Sequence, residues 1–356
     1  MNTMTKTTAW LNRDECAALR GLAIMAIMLH NYCHWLGFAV KENEYTFNAA
    51  NTARLWDAMA HADANLPIHL LSYFGHYGVP VFLFLSGFGL VMKYERRPQE
   101  LPAWRFARYH YMKLLRMMVP GFVAFIIVDA ITPGPFRFQA ENVVVQMLMA
   151  INLLPAPDRI IWPGPYWFFG LMMQLYIVYR LALYRRHWAW AAALVALCWA
   201  AQAACSPMGE TLNRLRYNCI GGMLVFCAGL LAARHLPAAR LNAMGRPSWA
   251  AVSLASAALL LACCTSFQAW LWAPLAVVAA SVGLVKALPA AWLSPLSWLG
   301  GISAAMFVAH PLLRKVFIPI SRRGDIYDGL LLYVIATVAV SWMFMIIINR
   351  IPKPKA

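Results

Sequence analysis

The chain has 356 residues, 62% hydrophobic and only 12% charged, with a net charge of +16 and a mean hydropathy of +0.58. About a quarter charged and under half apolar is usual for a soluble domain, so an ordinary soluble fold is excluded and a polytopic membrane protein is expected. Nucleic-acid binding is excluded as the meaning of the positive charge, because Lys and Arg stand between apolar segments rather than in one aromatic-interleaved patch.

The opening MNTMTKTTAWLNRDECAALR has no small-residue cleavage site behind a short apolar core, so no removable signal peptide is expected. The eight Cys lie within or beside apolar segments without CxxC spacing, and read as packing residues. A spanning helix needs about 20 mainly apolar residues. Ten segments qualify: Ala17–Val40, Ile68–Val91, Met112–Ile131, Tyr166–Leu183, Trp188–Cys205, Tyr217–Ala233, Trp249–Cys264, Phe267–Val285, Leu296–Val316 and Gly329–Asn349. Val143–Leu154 is too short to span and is expected to be re-entrant or interfacial. The expectation is therefore an all-α integral membrane protein with about ten transmembrane helices. It forms a single domain over 1–356, with its core at 14–349, an outer loop at 41–67 and a basic cytoplasmic loop at 92–111. Most Lys and Arg, from Lys6 through Arg97 to Lys355, then fall on one side, which the positive-inside rule makes cytoplasmic, with both termini. Arg314, Lys315, Arg322 and Arg323 are the exception on the outer side; they either snorkel to headgroups or meet an anionic acceptor.

The first segment, ALRGLAIMAIMLHNYCHWLGFAV, carries Arg20, His30, Asn31 and His34. Such residues in a lipid-fit helix usually face a protein interior or a wet cavity. His30 and His34 are four apart and share a face; Arg20 lies about 40° around and roughly 21 Å along the same axis from His34. In the outer loop, Trp56, Asp57, His61 and Asp63 suggest an amphipathic helix lying on the membrane face, or part of an acceptor site. The second segment holds His69 and His76 on one face, with Ser86 read as helix packing. The stretch KYERRPQELPAWRFARYHYMKLLR leads to Lys113 and Arg116, three apart, which either anchor the helix or take phosphates. Asp129 is expected to pair with a buried His or Arg. Tyr166 and Trp167 fit an interfacial belt, Gln174 needs a partner, and His310 precedes Pro311. No internal repeat supports inverted-repeat transport.

Taken together, RGLAIMAIMLH (20–30), GVPVFLFLSGFGL (78–90), KLLRMMVP (113–120), YWFFGLMMQLY (166–176) and LGGISAAMFVAHP (299–311) resemble the acyltransferase 3 family, polytopic membrane acyltransferases that modify surface glycans. The resemblance implies that Arg20 and a first-helix His are essential, the His as catalytic base, and that the basic pair Lys113/Arg116 engages acyl-CoA from the cytoplasm. Two departures stand out. The family places ten residues between its Arg and His, whereas nine precede His30 here and Asn31 takes the expected position. The family's Arg-x-x-Arg is Lys-x-x-Arg. Either the helix is locally overwound or bulged, or His34 shares the role.

The expected function is transfer of an acyl group, acetyl in the first instance, from cytoplasmic acyl-CoA to a hydroxyl of a surface polysaccharide or lipid-linked sugar, in a bacterial inner membrane. Acetyl-CoA is then a co-substrate, with no permanently bound cofactor and no nucleic-acid partner. A neutral imidazole suits the base role at neutral pH. Asn31, Ser86 and Tyr166 are candidate donors to the oxyanion, and Ser86, Tyr166, Trp167 and His310 are assigned to the acceptor. No metal site is expected, since His30 and His34 lack a third ligand. The alternative is a transporter or flippase of an anionic lipid-linked sugar without acyl transfer.

Overall fold

The computed structural model describes residues 9–96 and 101–354, and these are all helix and connecting turn, with no strand. Lys6, Arg97 and Lys355 lie outside the described residues. The first helix, α1 (Arg13–Cys33), opens on a reciprocal cap: Asn12 Oδ1 accepts from Glu15 N and Glu15 Oε2 accepts from Asn12 N, both at 2.8 Å. An exposed α2 (Ala49–Ala60) follows, then α3 (Leu66–Phe74) and α4 (Gly78–Leu90), joined by a tight turn at Gly75–Tyr77. Next come α5 (Ala103–Ile131), the short α6 (Ala140–Met147) and α7 (Pro157–Ile160), α8 (Trp167–Val178) and α9 (Trp188–Ala203). The pair α10 (Glu210–Tyr217) and α11 (Cys219–His235) bends by 45°. The chain closes with α12 (Ala238–Ala243), α13 (Arg246–Cys263), α14 (Phe267–Trp270), α15 (Ala273–Ala287), α16 (Ala290–Arg322) and α17 (Ile326–Arg350).

Among the described residues seven helical spans are long and apolar enough to cross a membrane, or eight if the bent α10–α11 pair is one span. In two of them α3 and α4 run together as Leu66–Glu95, and α8 extends with its flanking turns over Gly164–Leu183. The protein is thus an all-helical integral membrane protein. The other two expected segments coincide with apolar helices of 16 and 15 residues, α9 and α15, shorter than a full span. Phe267–Val285 is not one continuous helix: Ser266 caps α14, which stops at Trp270, and Pro274 restarts the chain as α15. Nor does the first helix reach Val40. After Cys33 the chain tightens into i→i−3 turns, Trp35 N to Tyr32 O at 3.2 Å and Leu36 N to Cys33 O at 3.0 Å. The basic loop expected at 92–111 is largely helical, because α5 begins at Ala103. The segment 143–154 holds only the end of α6 and a single turn at Ile151–Leu153.

Glycines set the crossings that place α1 at the centre. A side chain at Gly21 would strike Leu296 O of α16, and one at Gly300 would strike the Ala17 carbonyl in return. Gly75 clears Ala26 O and the His30 Cβ, so α3 and its turn press against the last turns of α1. Gly87 and Gly229 do the same for α4 against α11. Lipid offers helices no hydrophobic reason to associate, so close backbone approach at small residues supplies the packing. The outward faces are apolar: Ile131 is 80% and Leu254 73% exposed, a surface suited to acyl chains.

Polar side chains tie the periphery. Arg234 meets Glu95 at 2.7 Å, and Lys286 meets Glu15 at 3.0 Å. Asp129 pairs with Lys315 rather than with the His or Arg expected from the sequence, because α5 and α16 bring those two side chains together. Gln174 bridges α8 to the α10–α11 bend, donating to Asn218 Oδ1 at 2.7 Å and accepting from Cys219 N at 2.9 Å.

Candidate active site

The C-terminal end of α1 and the chain that folds back over it build a cavity of about 160 Å³. His30, in the last helical turn, is buried, and its Nδ1 lies 2.7 Å from Ser72 O. A carbonyl only accepts, so Nδ1 carries the proton and Nε2 holds the basic lone pair. His34 is the C-cap of the helix. Its ring centroid is 4.7 Å from that of His30, and the His76 ring lies 5.5 Å from that of His30. Throughout its length α1 is regular, so the nine-residue spacing is not absorbed by a bulge, and both His30 and His34 line the cavity.

The carboxylates come from the loop between α1 and α2, which is fastened at several points. Val40 N donates to His69 Nδ1 at 3.2 Å and Val40 O accepts from Ser72 Oγ at 2.7 Å. Asn43 O accepts from Trp270 Nε1 at 2.9 Å. Arg216 donates from Nε and Nη2 to Glu44 O, at 3.1 and 2.9 Å, while its guanidinium lies 4.4 Å over the Trp270 ring. Tyr45 stacks on Tyr217 with centroids 4.0 Å apart. These ties set Glu42 Oε1 3.2 Å from His34 Nδ1, and Glu44 Oε2 3.9 Å from His30 Nε2.

The two acids differ in charge state. Burial pushes Glu44 up, the neighbouring Glu42 charge adds to it, and Tyr45 and Arg216 only partly offset them, leaving its carboxyl at about 8. Burial acts on Glu42 in the same direction, but the His34 hydrogen bond and the nearby imidazoles outweigh it and hold Glu42 well below the usual carboxylate range. At neutral pH the site therefore presents one ionised and one mostly neutral carboxyl. Trp35, Tyr45, Trp162, Trp167 and Phe168 wall the cavity, and Asp158 and Arg314 complete its polar lining.

His30, His34 and Glu42 bring their ligating atoms within 4.8 Å of one another. Glu42 is the third ligand absent from the sequence reading. A tetrahedral zinc set, with ligands at about 2.0–2.2 Å from the ion, needs atoms roughly 3.4 Å apart, so the side chains would have to close on an ion.

Of the residues assigned from the sequence, His30, Asn31, His34 and Trp167 line the cavity. Ser86, Tyr166 and His310 do not. Ser86 Oγ donates to Phe82 O at 2.8 Å, and Tyr166 Oη to Val308 O at 3.3 Å. His310 Nδ1 lies 3.0 Å from Met306 O, and its Nε2 is enclosed without a partner. Toward the other end of α1, Arg20 and Lys113 stand within charge–charge range of each other, and Lys93 Nζ donates to Tyr109 Oη at 3.2 Å. Arg116 is turned away, its Nε donating to Ile351 O at 2.8 Å and its Nη2 to Ile348 O, capping α17. Glu42, Glu44, Arg216 and the aromatic walls Trp35 and Trp162 were not singled out from the sequence.

An aromatic-walled cavity lined by histidines and glutamates at the end of α1 has the form of an enzyme site. The family model of the acyltransferase 3 type, described as an acyltransferase domain, matches residues 11–346, nearly the whole chain. The chain belongs to this family and is an acyltransferase. Comparisons with curated proteins and with solved structures each found no match.

Proposed function

We propose that this acyltransferase moves an acyl group, acetyl in the first instance, from acyl-CoA on the cytoplasmic side to a hydroxyl of a surface polysaccharide or lipid-linked sugar held in the cavity. The membrane is a bacterial inner membrane, the helices make ten crossings with α9 and α15 as short spans, and both termini are cytoplasmic. The observation that carries this reading is the His30 imidazole, fixed by Ser72 O so that Nε2 is its basic atom in an aromatic-walled cavity. Flat aromatic walls suit the apolar faces of a sugar ring, and the polar groups fix its orientation.

His30 takes the hydroxyl proton as that oxygen attacks the thioester carbonyl. His34, oriented by Glu42, stands beside it, and its own Nε2 is enclosed without a partner; it supports the base rather than replacing it. The mostly neutral Glu44 carboxyl leaves His30 free of an ion pair that would hold it protonated. Arg20 lies ten residues, roughly 15 Å, before His30 along α1, and with Lys113 of α5 it receives the phosphates of the donor. Lys113 meets them as a point charge rather than bidentately.

The test is incubation of the purified protein with radiolabelled acetyl-CoA, with and without bacterial surface glycans. Label in the glycan, lost in His30→Gln, supports the reading. No label in any glycan or in the protein, with acetyl-CoA bound, refutes it.

A further inference from the structure

Acyl transfer from a thioester builds negative charge on the carbonyl oxygen, and such charge needs fixed donors. The three groups that the sequence offers are committed elsewhere. Asn31 Nδ2 donates to Ile27 O at 3.0 Å, and the Ser86 and Tyr166 hydroxyls donate to backbone carbonyls. The cavity wall holds a different donor. Arg314 of α16 is 4% exposed, lies 4.5 Å over the Trp35 ring, and has one long bond, Nη1 to Asn31 O at 3.4 Å. That carbonyl belongs to the residue next to His30. None of the ion pairs among the described residues involves Arg314; its neighbour Lys315 takes Asp129, and Arg322 donates to Trp35 O at 3.0 Å. A guanidinium has five N–H donors, and burying one without an anion is costly.

We propose that Arg314 is a catalytic residue that stabilises the tetrahedral oxyanion. This inference rests on the acyl transfer proposed above. Attack forms a bond from the acceptor oxygen to the thioester carbon, shifts the C=O π pair onto the carbonyl oxygen, and delivers the hydroxyl proton to His30 Nε2. The Arg314 N–H groups donate to that oxygen. Collapse restores the carbonyl, breaks the C–S bond, and releases the CoA thiolate, which takes the proton back from His30. An anionic acceptor resident on Arg314 fits less well. The Glu42 carboxylate lines the same cavity and opposes a standing anion, whereas the oxyanion exists only during the reaction.

The test uses the full chain in nanodiscs and two probes: acetyl-CoA, and a methylphosphonate thioester of CoA whose tetrahedral anionic phosphorus mimics the intermediate. Wild type is expected to bind the phosphonate about 100-fold tighter than acetyl-CoA, as transition-state analogues do. Arg314→Gln is expected to lose that preference while binding acetyl-CoA as wild type does, and Arg314→Lys to keep part of it. In turnover, Arg314→Gln lowers kcat about 10²–10³-fold with little change in KM for the acceptor. A phosphonate preference that is absent in wild type, or unchanged in Arg314→Gln, overturns the assignment. A rise in acceptor KM at constant kcat also overturns it, in favour of the anionic acceptor. Failure of wild type to bind acetyl-CoA sinks the proposed function itself, and this inference with it.

Discussion

Glu42 and His34 are joined by a 3.2 Å hydrogen bond across the turn that ends α1. They are eight residues apart, and the bond exists only because the following loop is fastened back over the helix. Glu42 has its other oxygen enclosed without a partner, so its charge is directed at the imidazoles. Glu42→Gln removes that charge while keeping the shape. The expected outcome is a fall in acyl transfer of about 10-fold or more, the size seen when a group orienting a functional His is lost. Rates measured with radiolabelled acetyl-CoA on variant protein of unchanged thermal stability check it. A variant as fast as wild type contradicts the role.

Glu44 gives a pH dependence with a definite sign. Its folded carboxyl sits at about 8, above the ordinary 4.5. Below 4.5 the group is neutral in both states and contributes no slope. Between 4.5 and 8 the unfolded chain releases the proton and the folded one keeps it, so stability falls with rising pH by up to about 1.4 kcal/mol per pH unit. Above about 8 both forms are ionised and the slope vanishes. Glu44→Gln is therefore expected to flatten the decline in thermal stability between pH 6 and 8, a comparison of melting curves in detergent. If wild type and Glu44→Gln decline in parallel, Glu44 ionises normally in the fold.

The helix crossings predict which glycines tolerate a side chain. Gly300→Val and Gly87→Val would drive a branched side chain into the Ala17 and Phe226 carbonyls, whereas Gly89 and Gly301 face open space. The first two are expected to lose at least about 3 kcal/mol or fail to accumulate. Gly89→Ala and Gly301→Ala are expected to stay within about 1 kcal/mol of wild type. Expression level and melting temperature of the four variants decide the matter, and the prediction fails if the two pairs behave alike.

Lys113 and Arg116 are expected to separate. Arg116 caps the end of α17 through Ile348 O and Ile351 O; losing such charged hydrogen bonds costs about 1.5–3 kcal/mol each. Arg116→Ala should lower the melting temperature clearly. Lys113→Ala should leave stability near wild type and weaken acetyl-CoA binding. Calorimetric titration with acetyl-CoA alongside melting curves checks both, and equal losses of stability in the two variants would be the contrary result.

Hydropathy made the apolar segments legible, because lipid admits few alternatives to a run of apolar residues. The ends were less legible. Cys33 and Trp270 stop their helices through local turn bonds and caps inside sequence that stays apolar, and hydropathy does not register those. Arg20, His30 and His34 stood out because such residues are expensive in a spanning helix, and of these His30 and His34 line the cavity. Glu42 and Glu44 did not, since a carboxylate in a loop is ordinary until Arg216 and Trp270 pull that loop over the helix. The Ser86 hydroxyl lies outside the cavity and is held by a local bond: it sits four residues after a carbonyl it can reach within its own helix, and it bonds there.

The most direct measurement is acyl transfer by His30→Gln and His34→Gln, each verified as folded, under saturating acetyl-CoA and glycan. With His30 as the base, His30→Gln loses about 10²–10⁴-fold in kcat, the usual contribution of a general base, and His34→Gln loses less. Wild-type turnover in His30→Gln, or a larger loss in His34→Gln than in His30→Gln, contradicts the assignment of the base.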